Sequence, residues 1–162
     1  MRRGFLLGIA AAIGVRSLMH RVLLWQFGRN VAALNAGDYR PLLANYAEDA
    51  VLHFNDGPHR WAGEHRGKDA IERFLQEFVG AGLKGELRQL WTAGPPWAMT
   101  MAVRFDDEAS AGEERLYANR VAMVIRTRWG RIVEHQDFYE DSERIPAFER
   151  ALQEHGIAPV AA

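Results

Sequence analysis

The 162-residue chain contains no cysteine. This absence excludes disulfides, thiolate metal sites and cysteine nucleophiles together, and it fits any redox compartment. The chain also has little net charge, −1 at pH 7. It therefore has no general attraction to phosphate backbones, and nucleic acid is not an expected partner. With no internal repeat, low-complexity tract or linker, a chain of this length is expected to form one domain.

Long hydrophobic runs are also missing. The uncharged run over residues 5–15 is too short to span a bilayer unaided, which takes roughly 20 residues. Two arginines precede it, as in a signal peptide, but Arg16 and Arg21 follow it closely without a clean cleavage site. For the extension, residues 1–19, three alternatives stay open: a packed helix, a basic helix on a membrane surface, and a signal sequence. We favour the first two jointly. We expect a cytoplasmic protein, and the alternative is a protein that also contacts a membrane through this segment.

Three helices are predicted before the main strands. Apolar residues recur at helical spacing over 17–36, and Gly37 suits the end of that helix. Pro41 then fits the first turn of a short second helix. The third helix, 68–80, has an apolar stripe at three- and four-residue steps and a glycine stop.

Strand patterns fill most of the remaining chain. Strands are predicted over 51–54, 86–92, 97–105, 114–127 and 131–139, with a polar loop over 106–112 and a C-terminal helix over 145–155. Helices followed by a run of antiparallel strands indicate the α+β class. We expect residues 20–143 to form the domain and residues 144–162 to add a helix and tail.

Four short segments carry a family resemblance. They are VAALNAGD (31–38), YAEDA (46–50), GKDAI (67–71) and GRIVEHQDFY (130–139). In this order and spacing the sequence resembles the nuclear transport factor 2-like superfamily, in particular its SnoaL-like and ketosteroid-isomerase-like proteins. The resemblance implies a cystatin-like fold, in which a curved antiparallel or mixed sheet wraps around N-terminal helices as a cone. It also implies an apolar pocket open at one end, and often a homodimer.

Alternation along the strands suggests which side chains face such a pocket, because alternate residues share a face. The expected pocket-facing residues are Leu52, Phe54, Tyr117, Asn119, Val121, Met123, Val133, His135 and Asp137. Trp61 is expected to close the pocket mouth as a lid. Arg104 is expected in the pocket. If Asp137 is only structural, its expected partner is Arg104, Arg120 or Tyr117. The predicted ligand is a small hydrophobic molecule.

Two of the family's chemistries lack their residues. The resemblance to ketosteroid isomerases implies three catalytic positions: a tyrosine, an aspartate base and an acid on a central strand. In this chain these positions fall on Asn30, on Phe54 and near Val121. In the limonene-epoxide-hydrolase resemblance, Asp137 matches one aspartate, but the arginine-x-aspartate pair falls near Ala102 and Arg104, so the second carboxylate is absent.

One chemistry remains open. SnoaL-like polyketide cyclases rely mainly on a last-strand aspartate, and Asp137 matches it. His135, two residues away on the same face, could shuttle a proton near neutral pH. The predicted activity is isomerisation, cyclisation or hydration by Asp137 and His135, and the alternative is a non-catalytic binding or accessory module.

No cofactor or metal is expected. His59, Glu64 and His65 offer ligand types, but their spacing fits no metal motif. Trp91 and Trp97 are candidates for a dimer surface on the outer sheet face. Three arginines flank Trp129 at a predicted hairpin tip. They form either a docking patch for an anionic partner or lipid headgroup, or simply a turn exposed to solvent.

Overall fold

The computed structural model describes the backbone of residues 2–160 and the side chains of residues 18–160. The helices are α1 (Arg2–Asn35), α2 (Arg40–Leu43), α3 (Lys68–Gly80) and α4 (Arg144–Glu154). The strands are β1 (Tyr46–His53), β2 (Glu64–Arg66), β3 (Lys84–Ala93), β4 (Thr100–Ala111), β5 (Glu114–Arg128) and β6 (Arg131–Tyr139).

One six-stranded sheet organises the molecule, in the order β2-β1-β6-β5-β4-β3. All neighbours pair antiparallel except β1 and β6, which are parallel. The sheet is therefore mixed, and the predicted α+β class and cone-shaped fold are confirmed. Among the residues with described side chains, no helix is both long and apolar enough to cross a bilayer.

The inner face of the sheet carries the core. Along β4 and β5 burial alternates residue by residue, as expected for strands with one face covered. Helix α3 contributes four buried apolar side chains: Ile71, Phe74, Leu75 and Phe78. Each such side chain contributes roughly 1.5–3 kcal/mol on full burial. The cover over the inner face is thus fixed by apolar packing.

Helix α1 is joined to β3 by a paired hydrogen bond. The Asn35 amide donates to the Gly85 carbonyl and accepts from the Gly85 N–H, both at 2.8 Å. Glycine is required there, because a Cβ on Gly85 would lie 1.8 Å from the Phe105 ring. Gly37 ends α1 at φ +88°, a backbone angle that other residues rarely adopt.

Helix α4 packs into the same core. The Phe148 ring stacks on Trp61 and on Tyr117, with centroid separations of 5.7 and 4.6 Å. A buried ion pair joins α4 to the loop before β2, where Arg60 Nε lies 2.8 Å from Glu149 Oε2. These contacts close the end of the cone away from the β3–β4 and β5–β6 turns.

Some predicted boundaries are wrong. Residues 106–111 are not loop but continue β4, because Asp107 and Ala109 keep the inward alternation of that strand. Strand β1 begins at Tyr46 rather than at residue 51, since Tyr46 pairs with Ile132 of β6. The three-residue β2 has no apolar pattern and was not predicted.

Candidate functional site

A cavity of about 270 Å³ lies between the inner face of the sheet and helices α1 and α3. Met19 of α1 and the turn residues Pro96 and Gly130 line one end. Both turn residues are exposed, so the cavity opens at that end. Leu34 and Asp107, both buried, line the other end.

Most of the cavity wall is apolar, and its polar groups lie in the deeper half. His135, Asp137 and Tyr139 occupy successive inward positions of β6, opposite Ile125, Met123 and Val121 of β5. Asp107 joins them from β4. Entering from the turns, a molecule passes apolar side chains first and meets titratable groups afterwards.

Tyr46 is hydrogen-bonded to His135. The Tyr46 hydroxyl lies 2.6 Å from His135 Nδ1. Burial raises the pKa of Tyr46, so the phenol keeps its proton in this hydrogen bond. The other ring nitrogen, Nε2, lies 2.9 Å from Asp137 Oδ1. That contact has ion-pair distance but not hydrogen-bond geometry, so both atoms lack a hydrogen-bond partner within the chain.

Asp107 and Tyr139 form the second polar pair. The Tyr139 hydroxyl donates to Asp107 Oδ2 at 3.0 Å. Burial raises the pKa of Asp107 to about 7, and the nearby charge of Asp137 adds to this, against the lowering effect of the Tyr139 bond. Asp107 is therefore partly protonated near neutral pH. Its other oxygen, Oδ1, has no hydrogen-bond partner.

Five of the residues named from the sequence line this cavity: Leu52, Val121, Met123, His135 and Asp137. Val133 does not, because a register shift opposite Arg126 and Thr127 turns Ile132 inward instead. The β-bulge that causes this shift is invisible to a simple alternation rule.

Five named residues lie elsewhere. Phe54, Trp61 and Tyr117 line a separate space of about 10 Å³. Trp61 is only 2% exposed, so it is a core residue and not a lid. Asn119 faces inward, but its amide donates to the Asp141 carbonyl at 2.7 Å. Arg104 is exposed and cannot pair with Asp137, because even-numbered residues of β4 point to the outer face.

Sequence reasoning missed Asp107, Tyr46 and Tyr139. Asp107 falls in the loop predicted over 106–112. However, Met101, Phe105 and Asp107 are separated by even numbers of residues, so that in a strand they face the same side of the sheet. Tyr46 lies before the strand predicted over 51–54. Tyr139 could have been found by extending the His135–Asp137 face by two residues.

No group of three His, Cys, Asp or Glu side chains that could hold a metal ion occurs within residues 18–160. His59 and His65 each contact neighbouring protein groups instead. His65 Nε2 lies 3.0 Å from the Trp61 carbonyl oxygen, and the His59 ring packs edge-on against Phe54.

Comparison with solved structures shows that this chain shares the fold class of nuclear transport factor 2-like proteins, also described as cystatin-like. An NTF2-like protein from Burkholderia pseudomallei is 19% identical with a TM-score of 0.61, covering 77% of this chain and 95% of that one. Bal32a, from a soil-derived mobile gene cassette, is 23% identical with a TM-score of 0.59, covering 78% and 93%. TerC, crystallised with polyporic acid, is 14% identical with a TM-score of 0.61, covering 78% and 97%.

Within that class the family is defined by sequence. Residues 28–135 match the family model of the SnoaL-like domain. The chain therefore belongs to the SnoaL-like domain family, whose members generally bind small molecules. No curated protein matches the chain in sequence.

Proposed function

We propose that the cavity binds a small, largely hydrophobic molecule and that Asp137 moves a proton on it, in an isomerisation, cyclisation or hydration. One observation carries the proposal. Three buried polar atoms without a hydrogen-bond partner, His135 Nε2, Asp137 Oδ1 and Asp107 Oδ1, belong to residues that line one apolar cavity. A buried polar atom left unpaired costs about 1–3 kcal/mol. A bound molecule with a polar group would supply the missing partners.

In this proposal each group has a role. The Asp137 carboxylate accepts a proton from the bound molecule and returns it at a second position, so that no proton is gained or lost overall. His135 Nε2, 2.9 Å from Asp137 Oδ1, is a second polar group for the bound molecule beside the carboxylate. Asp107, with a pKa of about 7, keeps its proton and donates a hydrogen bond from the protonated carboxyl to the oxygen on which negative charge develops.

The alternative is a binding module without turnover. It is favoured because the catalytic residues of the ketosteroid isomerases and epoxide hydrolases are not all present in this chain. The position of the isomerase tyrosine, for example, is occupied by Asn30, which also lines the cavity. The fold itself accommodates a small molecule in at least one relative, because TerC was crystallised with polyporic acid. Fold alone does not settle chemistry, as one scaffold hosts unrelated functions.

The test starts from the molecule that the full-length chain retains on purification, identified by native mass spectrometry. If that molecule or its analogues are turned over, Asp137→Asn should lower kcat by about 10²-fold or more, as expected for loss of an acid–base group. Glu134→Gln, on the same strand but outside the cavity lining, is the matched control. Unchanged turnover in Asp137→Asn refutes the enzymatic proposal, and a ligand released unchanged supports the binding module.

We also propose that the outer sheet face pairs with a second copy of the chain. Trp91, Val124 and Phe138 are exposed there; Ala102 lies between Trp91 and Val124, and Ala122 lies between Arg104 and Phe138. An apolar outer face on an antiparallel sheet is otherwise left in water. Val124→Lys should convert a dimer to a monomer in sedimentation velocity. A wild-type monomer at every concentration would contradict the proposal.

A further inference from the structure

Over residues 18–35, helix α1 has two apolar faces, and only one of them is covered. Met19, Leu23 and Phe27 belong to the covered face, which lines the cavity. Leu18 and Trp25 lie about a third of a turn around the helix and are 63% and 62% exposed. Val22 lies between them and is 51% exposed. These three residues form the outer stripe of α1.

Two further exposed aromatic residues lie at the open end of the cavity. Trp97 and Trp129 occupy the β3–β4 and β5–β6 turns, next to the lining residues Pro96 and Gly130. They are 54% and 78% exposed, and their rings lie 6.5 Å apart. The turns are tied together, since the Trp129 N–H donates to the Trp97 carbonyl at 3.0 Å. The tryptophan pair therefore stands beside the mouth as one unit.

The charge of the chain is segregated along the sequence. Residues 1–37 contain five arginines and no acidic residue, whereas residues 38–162 carry a net charge of −6. Arg29 of this segment lies over the Trp25 ring, 4.8 Å from its centroid. At the turns, by contrast, Arg126 and Arg128 already face Glu134 and Asp49. In the sequence, the excess of positive charge thus lies in residues 1–37.

We propose that the outer stripe of α1 and the Trp97–Trp129 pair dock on an anionic lipid bilayer, so that the cavity takes its hydrophobic ligand from the membrane. Tryptophan is favoured at the level of lipid headgroups, and apolar side chains exposed on a surface helix can insert at the same level. A negatively charged surface complements the arginines of residues 1–37.

The same geometry links docking to the cavity. Met19 and Leu23, on the covered face of α1, line the cavity near Pro96 and Gly130. A bilayer contacting α1 and both turns would therefore cover the cavity mouth, and an apolar molecule could enter without crossing water. This part rests on the proposed function, whereas docking itself does not.

Flotation of the full-length protein with vesicles tests docking. We expect binding to phosphatidylcholine vesicles that contain phosphatidylglycerol, and much weaker binding to phosphatidylcholine alone. Val22→Ser or Trp129→Ser should weaken binding on the order of tenfold, because each removes apolar contact with the bilayer. Arg21→Gln and Arg29→Gln should each weaken it about fivefold, and raised salt should weaken it further.

Matched controls lie away from the mouth. Val160→Ser replaces a valine that is 42% exposed in the C-terminal tail, and Arg150→Gln replaces an exposed arginine of α4. Both should bind vesicles as the wild type does. Docking is refuted if the wild type does not float with anionic vesicles, or if the controls lose as much binding as Val22→Ser. It is also refuted if Val22→Ser changes the oligomeric state without vesicles, since the stripe is then a protein interface.

Ligand entry is measured separately with the apolar fluorophore N-phenyl-1-naphthylamine. Val22→Ser should bind this probe in vesicle-free buffer as the wild type does, but take it up several-fold more slowly from anionic vesicles. Probe binding without vesicle binding overturns the docking inference and leaves the proposed function standing. Vesicle binding without probe binding overturns the proposed function and leaves the docking inference standing.

Discussion

The buried carboxyl group of Asp107 allows one prediction to be developed in full. Asp107 is 3% exposed, and its Oδ2 accepts a hydrogen bond from Tyr139. An asparagine at this position can still accept that bond but never ionises. Asp107→Asn therefore removes the cost of a buried charge while keeping the local contact.

The magnitude follows from the pKa of Asp107, which burial raises from 3.8 to about 7. Because each pH unit corresponds to about 1.4 kcal/mol, ionised Asp107 lowers the free energy of unfolding by about 4 kcal/mol. Because the pKa of Asp107 is higher in the folded than in the unfolded state, ionisation of this carboxyl destabilises the folded protein. The cost is absent below pH 3.8, grows as the pH rises, and is complete above pH 7.

Urea unfolding of both proteins at several pH values, at one protein concentration, measures this difference. At pH 4 the variant should match the wild type, and at pH 8 it should be more stable by up to about 4 kcal/mol. Glu108→Gln, the exposed next residue on β4, is the control and should change stability by less than about 0.5 kcal/mol at either pH. A stability difference for Asp107→Asn that does not vary with pH would refute the reasoning.

Two further substitutions test the packing and the polar pair. Gly85→Ala should destabilise the protein by about 3 kcal/mol or more, because its Cβ would lie 1.8 Å from the Phe105 ring; Gly112→Ala, with open space around it, should cost far less in the same urea unfolding experiment. Tyr46→Phe should cost about 1–3 kcal/mol by leaving His135 Nδ1 without its hydrogen-bond partner. A Tyr46→Phe protein as stable as the wild type would contradict the assigned hydrogen bond.

The parts of the fold that could be predicted from sequence are those with a clean period. Helix α3 begins and ends where its apolar stripe and glycine stop predict, at Lys68 and Gly80. Strand β6 likewise spans Arg131–Tyr139 as predicted, between a tight turn and a polar segment. In both elements the local pattern and the tertiary burial agree.

The site was harder to predict, because its polar residues interrupt the alternation of apolar and polar residues that identifies a strand. An aspartate at an inward strand position is typical of a loop, and the sequence therefore predicts a loop at Asp107. Trp61 and Arg104 failed for another reason. Which cavity or face a side chain meets depends on the packing of α4 and the register of β4, and neither is encoded locally.

The central claim is that the cavity in front of Asp137 binds a small hydrophobic molecule. Met123 lies opposite Asp137 on the neighbouring strand and lines the cavity, so Met123→Trp should fill the space. Fluorescence titration with N-phenyl-1-naphthylamine measures the effect, with urea unfolding as the check that the variant folds. We predict saturable binding at one site in the wild type and a loss of affinity on the order of tenfold or more in Met123→Trp. Equal affinity in the two folded proteins, or no saturable binding in the wild type, would contradict the account.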